Sequence, residues 1–373
     1  LQMATLDEQT VKRAQSQADS STKHQQKPQN PAKVSPGNWG YAFKRAINKF
    51  MADGSTDLAA ALTYFAVLSI FPALLAIVST LGVFGQGQET SQAIINFVRD
   101  FAPSEMMPLI EEPVTQLASS SAAGLALITG ILGALWTASG YVGAFGRALN
   151  RIYGVAEGRP IWILRPWNLL VTAVLVLVVV LMMLVLLLSD SVLDMINRFV
   201  PGIDFSSFAA IWLWFRWPII LVLAVVLIAL LYYGTPNVKQ PKFRWLSPGA
   251  LIALVTMGLA GLGFTFYVTN FGNYNATYGV IGGVIVLLLF LWIMNNVLLF
   301  GAQVDAEIER VRELKGGMVA EKEIQLPPRS DTMAIKNIEK KEKLVEEGRT
   351  IRLENNGLDY EAKAKELEKE KNS

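Results

Sequence analysis

The sequence has no cysteine, a single histidine and, over 373 residues, only 17% charged side chains. Without cysteine there are no disulfides, thiolate nucleophiles or thiolate-held metals, and the redox compartment stays open. The one histidine, His24, cannot build a zinc or two-metal hydrolase centre, which needs two or three imidazoles converging on an ion. It stands in a Gln/Ser/Lys-rich leader, where a solvated side chain is the simpler reading. Also missing are a phosphate loop of the P-loop form, a G-x-S-x-G elbow and an H-E-x-x-H pair. Asp190 and Asp194, four residues apart, lack a partner that would make them a hydrolase dyad. Catalysis gains no positive support, and no cofactor or metal is expected. The 33 basic and 31 acidic residues leave a net charge of +2, which is no footprint for nucleic acid.

What is present is apolar. Hydrophobic residues make up 52% and the mean hydropathy is +0.36, whereas a soluble domain carries about 25% charge. This composition predicts an all-α polytopic membrane protein. Six apolar stretches, each near the roughly 20 residues that cross a bilayer core, fall at 58–82, 123–146, 167–188, 208–233, 247–269 and 278–304. Residues 1–37 hold few large apolar side chains and are expected to be a disordered leader. Residues 38–57 begin with Trp39, Phe43, Ile47 and Phe50 at spacings of four, four and three, interleaved with Lys44, Arg45 and Lys49. That pattern predicts an amphipathic interfacial helix. The loop 83–122 carries two amphipathic patterns and is expected to form an outer helical cap. The tail 305–373, with fifteen basic and seventeen acidic residues, reads as a charged, solvated segment.

Charge placement sets the orientation. Lys and Arg number eight before residue 58, four in 147–166, three in 234–246 and fifteen from 305 onward; the alternate loops hold only Arg99 and Arg198. The positive-inside bias therefore predicts that both termini are cytoplasmic.

A polar side chain inside a bilayer costs free energy unless it is paired or faces water. In the second stretch Trp136, Ser139, Gly143, Gly146, Arg147, Asn150 and Arg151 recur at helical spacing, so one face runs from small and hydroxylated to cationic. It fits a groove that attracts an anionic head group. It equally fits close helix packing with snorkelling arginines. In the first stretch Tyr64, Ser69 and Pro72 interrupt apolar sequence, and Pro72 predicts a local opening. In the sixth, Gly279 and Gly283 form a Gly-x-x-x-Gly pair, while Asn295, Asn296 and Gln303 lead to Asp305; interhelical hydrogen bonding explains the amides as well as a pathway does. Arg216, set among tryptophans, reads as an interfacial anchor.

The stretches AAALTYFAVLSIFPALL, GRALNRIYGV followed by Arg159 and Arg165, YYGTPN with FRWLSPGALIA, and TYGVIGGVIVLLLFLW with GAQVDAEIER occur in that order. In this combination residues 38–314 resemble the YihY/virulence factor BrkB family of bacterial inner-membrane proteins. The resemblance implies six membrane helices with cytoplasmic ends. It also implies roles in envelope integrity, serum resistance and suppression of lipopolysaccharide-export defects, and hence the handling of lipids or amphiphiles. The family's old ribonuclease label was attached in error, and the histidine/aspartate cluster of such a metal-dependent enzyme is absent here. Relatives read G-A-E-L-N-A-E where this chain has Gly301 to Glu307, so their glutamate is Gln303, with Asp305 as the nearby acid.

The expectation is a translocator or flippase-like protein for an amphiphilic envelope molecule, with membrane lipids and that amphiphile as partners. The alternatives are a non-transporting envelope scaffold and a small-solute or ion antiporter. Candidate pathway or gating residues are Tyr64, Ser69, Pro72, Trp136, Ser139, Arg147, Asn150, Arg151, Asn295, Asn296 and Asp305. Oligomeric state is left open by the sequence.

Overall fold

The computed structural model describes residues 5–19, 36–83, 123–187, 206–240, 246–271 and 275–356, with a few single positions beyond them; some side chains inside the helices, among them 71–83, are not described. The expected outer cap and His24 lie outside the described residues, save isolated positions of the cap. Nine helices are described: α1 Leu6–Asp19, α2 Pro36–Ala52, α3 Ser55–Val83, α4 Ala123–Tyr153, α5 Ile161–Leu187, α6 Ser206–Gly234, α7 Pro248–Phe271, α8 Asn275–Lys315 and α9 Thr332–Asn356.

Five of them are long and apolar enough to cross a membrane, over Ile128–Tyr153, Ile161–Leu186, Trp214–Gly234, Pro248–Tyr267 and Gly282–Lys315. This is one fewer than the six expected. The remaining candidate, 58–82, falls in α3, whose described apolar part is Ser55–Ile70. Pro72 lies within the helical range of α3, and its side chain is outside the description.

The core forms where small residues let helices meet. Phe145, Leu149 and Ile152 of α4 pack with Leu62 of α3 and Leu299 of α8, and α3 against α4 is the most extensive helix pair. The tightest crossing joins α7 and α8 at Gly249 and Gly301. A Cβ on Gly249 would stand 2.0 Å from the Gly301 carbonyl oxygen, and one on Gly301 would stand 2.6 Å from that of Gly249. Backbones this close tolerate no side chain between them. The surroundings of Gly279, in the Gly-x-x-x-Gly pair of α8, lie outside the described residues.

At 41 residues, α8 is about 60 Å long at 1.5 Å per residue, roughly twice the hydrocarbon thickness. Its last turns carry buried charge: Glu307, Arg310 and Glu313 are all but inaccessible. Arg310 Nε lies 2.7 Å from a Glu307 oxygen, Arg45 of α2 lies 3.1 Å from the same oxygen, and the Arg310 guanidinium donates to the Ala320 carbonyl at 2.6 Å. Glu313 accepts the Gln325 amide at 2.7 Å. α2 seats Ala42 and Ala46 on Val304, Ile308 and Val311 of α8, while Tyr41, Phe43, Ile47 and Met51 stay exposed.

Where disorder was expected in the leader, Leu6–Asp19 is helical. The missed signal is a capping box: Thr5 N–H donates to Glu8 Oε2 at 2.9 Å and the Glu8 N–H to Thr5 Oγ1 at 3.4 Å. α1 is then held by tertiary bonds. Thr10 Oγ1 accepts the Ala156 amide at 2.7 Å, and buried Arg13 donates to the Tyr153 carbonyl at 2.9 Å and lies 3.7 Å from Glu323. Burial lowers the pKa of Arg13, and Glu323 opposes that shift.

Candidate functional site

Two groups of polar residues emerge when the sequence candidates are placed on the fold. The first gathers the segments 154–160, 235–240 and 316–331 at one end of the bundle. Asn150 donates to Glu157 at 3.0 Å and accepts the Asn237 amide at 2.7 Å. Glu157 holds Arg159 through two 2.7 Å bonds, and Arg159 donates on to the Thr235 carbonyl at 2.8 Å. The Asn237 side chain donates to the carbonyls of Ala156 and Ser330 and accepts the Ser330 amide at 3.0 Å. Ser330 in turn donates to Gly158, where a Cβ would stand 1.8 Å from the Ser330 carbonyl oxygen. Asn150 is therefore part of a structural staple.

Of the α8 amides, Asn295 is engaged across helices, whereas Asn296 and Gln303 are not. Tyr141 of α4 donates to Asn295 at 2.8 Å, and Asn295 donates to Thr63 of α3 at 3.1 Å, a relay through three helices. Asn296 donates to Trp292 O in its own helix, leaving its buried Oδ1 without a partner. Gln303 is fully buried, with both amide atoms unbonded. Asp305 caps α7: one oxygen accepts the Ser247 hydroxyl and the other the Gly249 amide at 2.7 Å. Ser247 accepts the Ala250 amide as N-cap, Pro248 follows at the first helical position, and the carboxylate complements the helix dipole. Ser69 bonds back to Phe65 O, and Tyr64 is exposed with its ring edge-on to Phe65. Arg151 is exposed. Arg216 stacks at 5.3 Å over Trp217, compatible with an anchor.

The second group lines a cleft of about 490 Å³ between α3, α4 and α5. Four of its walls come from the predicted stripe: Trp136, Ser139, Gly143 and Arg147. α3 adds Phe65 and Leu68, and α5 adds Ile161, Leu164, Arg165 and Asn168; Thr137 and Gly140 complete it. Trp136, Ile161 and Arg165 are exposed on the outside of the bundle, so the cleft meets the face that surrounding lipid would cover. The Arg165 guanidinium sits 5.5 Å over the Trp136 ring, a cation–π contact. Arg147 and Arg165 are close enough to repel, and among the described residues no acid lines the cleft. The wall hydroxyls are used within their own helix: Ser139 donates to Trp136 O at 2.7 Å and Thr137 to Gly133 O at 2.9 Å.

Of the eleven candidates, Trp136, Ser139 and Arg147 thus share the cleft, while Tyr64, Asn150, Asn295, Asn296 and Asp305 are placed elsewhere. Sequence reasoning missed Arg165 and Asn168 as site residues. Their signal was an arginine and an amide opening an otherwise uncharged apolar run, visible only once α5 is known to lie on the α4 stripe.

The arrangement defines a helical membrane protein with a cationic, aromatic-walled cleft on its flank. The chain belongs to the Virulence factor BrkB family, which it matches over residues 46–324. It is 28% identical over 272 residues to a ribonuclease-like protein, YfkH, of Bacillus subtilis, covering 73% of this chain and 96% of that one. A UPF0761 membrane protein of Nitrosospira multiformis is 28% identical over 267 residues, 71% of this chain and 60% of its own length. One of Pseudoalteromonas translucida is 26% identical over 274 residues, 73% and 85% respectively. No solved structure matches.

Proposed function

We propose that this protein carries an anionic amphiphile of the envelope across the bacterial inner membrane, as a translocator or flippase-like protein with both termini cytoplasmic. The observation that carries the reading is the cleft on the flank of the bundle, which pairs two arginines with an aromatic and apolar wall. An amphiphile needs both surfaces at once. The charged head is drawn to Arg147 and Arg165, and the chain can rest against Phe65, Leu68 and Leu164. The orientation is supported by the gathering at one end of segments 154–160, 235–240 and 316–331, which belong to the Lys/Arg-bearing loops 147–166 and 234–246 and to the tail, where the positive-inside bias puts the cytoplasm.

The test is reconstitution of the full chain in vesicles carrying a fluorescent anionic phospholipid, with flip read by chemical quenching of the outer leaflet. Flip above empty vesicles, reduced at least tenfold by Arg147→Ala, supports the reading. A rate equal to that of empty vesicles would sink it.

A scaffold role has one observation in its favour, the exposed and mixed-charge surface of α9. Removal of residues 338–373 tests it, because 316–331 is built into the staple and must stay. A scaffold loses its partners and a translocator keeps its flux. An ion-antiporter role is weakened by Asp305, whose carboxylate is committed to capping α7.

A further inference from the structure

The cleft has donors with nothing to donate to among the described residues. Asn168 is 95% buried, by its 5% exposure, yet its side-chain amide makes no hydrogen bond among the described residues. Its amide atoms open onto the cleft rather than lying sealed in the core, so a ligand in the cleft can reach them. Arg147 likewise has no carboxylate or carbonyl partner among the described residues. Both groups converge on one spot. From the position a Cβ would take on Gly143, Asn168 Nδ2 lies 3.1 Å away and Arg147 Nη1 3.6 Å away. The absence of a side chain at Gly143 is what leaves that spot open. A snorkelling arginine would extend away from the bundle toward water; this guanidinium instead lies back along its own helix, beside the glycine one turn earlier.

We infer that Arg147, Arg165 and Asn168 form a binding site for a phosphate group, with Gly143 as its floor. This deepens the translocator reading and rests on it only for the direction of transport, not for binding. The missing component must be an acceptor, and with two cations and no acid among the described lining residues it must be an anion. Two planar guanidiniums and an amide, brought from two helices to one spot, supply donors from several directions, which suits a tetrahedral anion better than a planar carboxylate. A phosphate has three or four oxygens directed to different sides. The apolar wall beyond Ser139 suits a phosphate borne on a lipid, and the same cradle would take free phosphate.

The test uses the full chain in detergent micelles, with native mass spectrometry counting retained ligand. Phosphatidic acid is compared with diacylglycerol of the same chains, with oleate and with inorganic phosphate as competitors. The expected result is one phosphatidic acid retained about ten- to hundredfold more tightly than diacylglycerol, the range for hydrogen bonds to charged groups. Arg147→Ala and Arg165→Ala should each remove about tenfold or more of that preference. Gly143→Ala should weaken binding as well, though it keeps every cation, because its methyl would enter the cradle.

Competition by inorganic phosphate identifies free phosphate as a ligand of the same site, and its failure to compete identifies the lipid-borne group; either outcome supports the phosphate chemistry. Equal retention of diacylglycerol or oleate, or unchanged retention in the Arg147→Ala/Arg165→Ala double variant, overturns it. Arginine-dependent retention without lipid flip leaves this site standing and removes the translocator reading. Flip that ignores both arginines does the reverse.

Discussion

The staple at the bundle end and the cleft on its flank use the same residue types to opposite ends. In the staple, Asn150, Glu157, Arg159 and Asn237 exchange hydrogen bonds until the guanidinium of Arg159 has both a carboxylate and a carbonyl. In the cleft, Arg147, Arg165 and Asn168 face one another with no acid among the described lining residues. A satisfied polar network fixes one arrangement of the chain. An unsatisfied one holds donors in place for something that arrives. Arg or Asn at helical spacing does not tell these apart; the presence of an acceptor within reach does.

The comparison can be broken at its strongest point first. Glu307→Ala strands Arg310, which is 2% exposed, and breaking a buried pair in this way costs about 3–5 kcal/mol. Thermal unfolding in detergent should show a large drop, or no folded protein at all. Next comes Gly158→Ala, which drives a methyl into the Ser330 carbonyl and should cost about 1–3 kcal/mol as overpacking does, with α9 released first and digested by added protease. Asn150→Ala leaves the Asn237 amide and a Glu157 oxygen unmet and should cost about 1–3 kcal/mol, read by the same melting curve, with flip falling only as folded protein falls.

The contrast sharpens with Arg147→Ala. Its side chain is exposed and bonded to no described residue, so stability should change by no more than about 0.5 kcal/mol while flip drops at least tenfold. A melting shift as large as that of Asn150→Ala would make Arg147 a structural residue. The smallest effect is expected for Arg151→Ala, exposed and absent from the cleft, which should change neither stability nor flip measurably.

Much of the fold was legible because bilayer physics is one-dimensional along the chain. Length and hydropathy mark a span, and the count of Lys and Arg in 147–166 and 234–246 groups those loops on one side. The stripe from Trp136 to Arg147 was legible for the same reason, since helical spacing puts those residues on one face. Asn295 and Asp305 were legible only as polar residues needing an account. Whether they serve packing or passage depended on Tyr141, Thr63, Ser247 and Gly249, which lie 56 to 232 residues away in the chain and meet them only after folding. The helix at Leu6–Asp19 shows a different limit. Its capping box is a local signal, but a polar helix of 14 residues is marginal alone and is held by Thr10 and Arg13 reaching the turn after α4.

By itself the sequence determined that this is a helical membrane protein of the BrkB family, with its charge at the ends and a cationic stripe on the second predicted span. Period, length and charge count are properties of consecutive residues, and the hydrophobic effect reads them directly. Only the tertiary structure decided which polar groups were used up and which were left over. It laid Arg165 and Asn168 of α5 against that stripe, put Asp305 on the start of α7, and closed Asn150 into the staple. Hydrogen-bond satisfaction is a relation between residues distant in sequence, so the open donors of the cleft emerged only when the partners of Asn150, Asn295 and Asp305 had been placed.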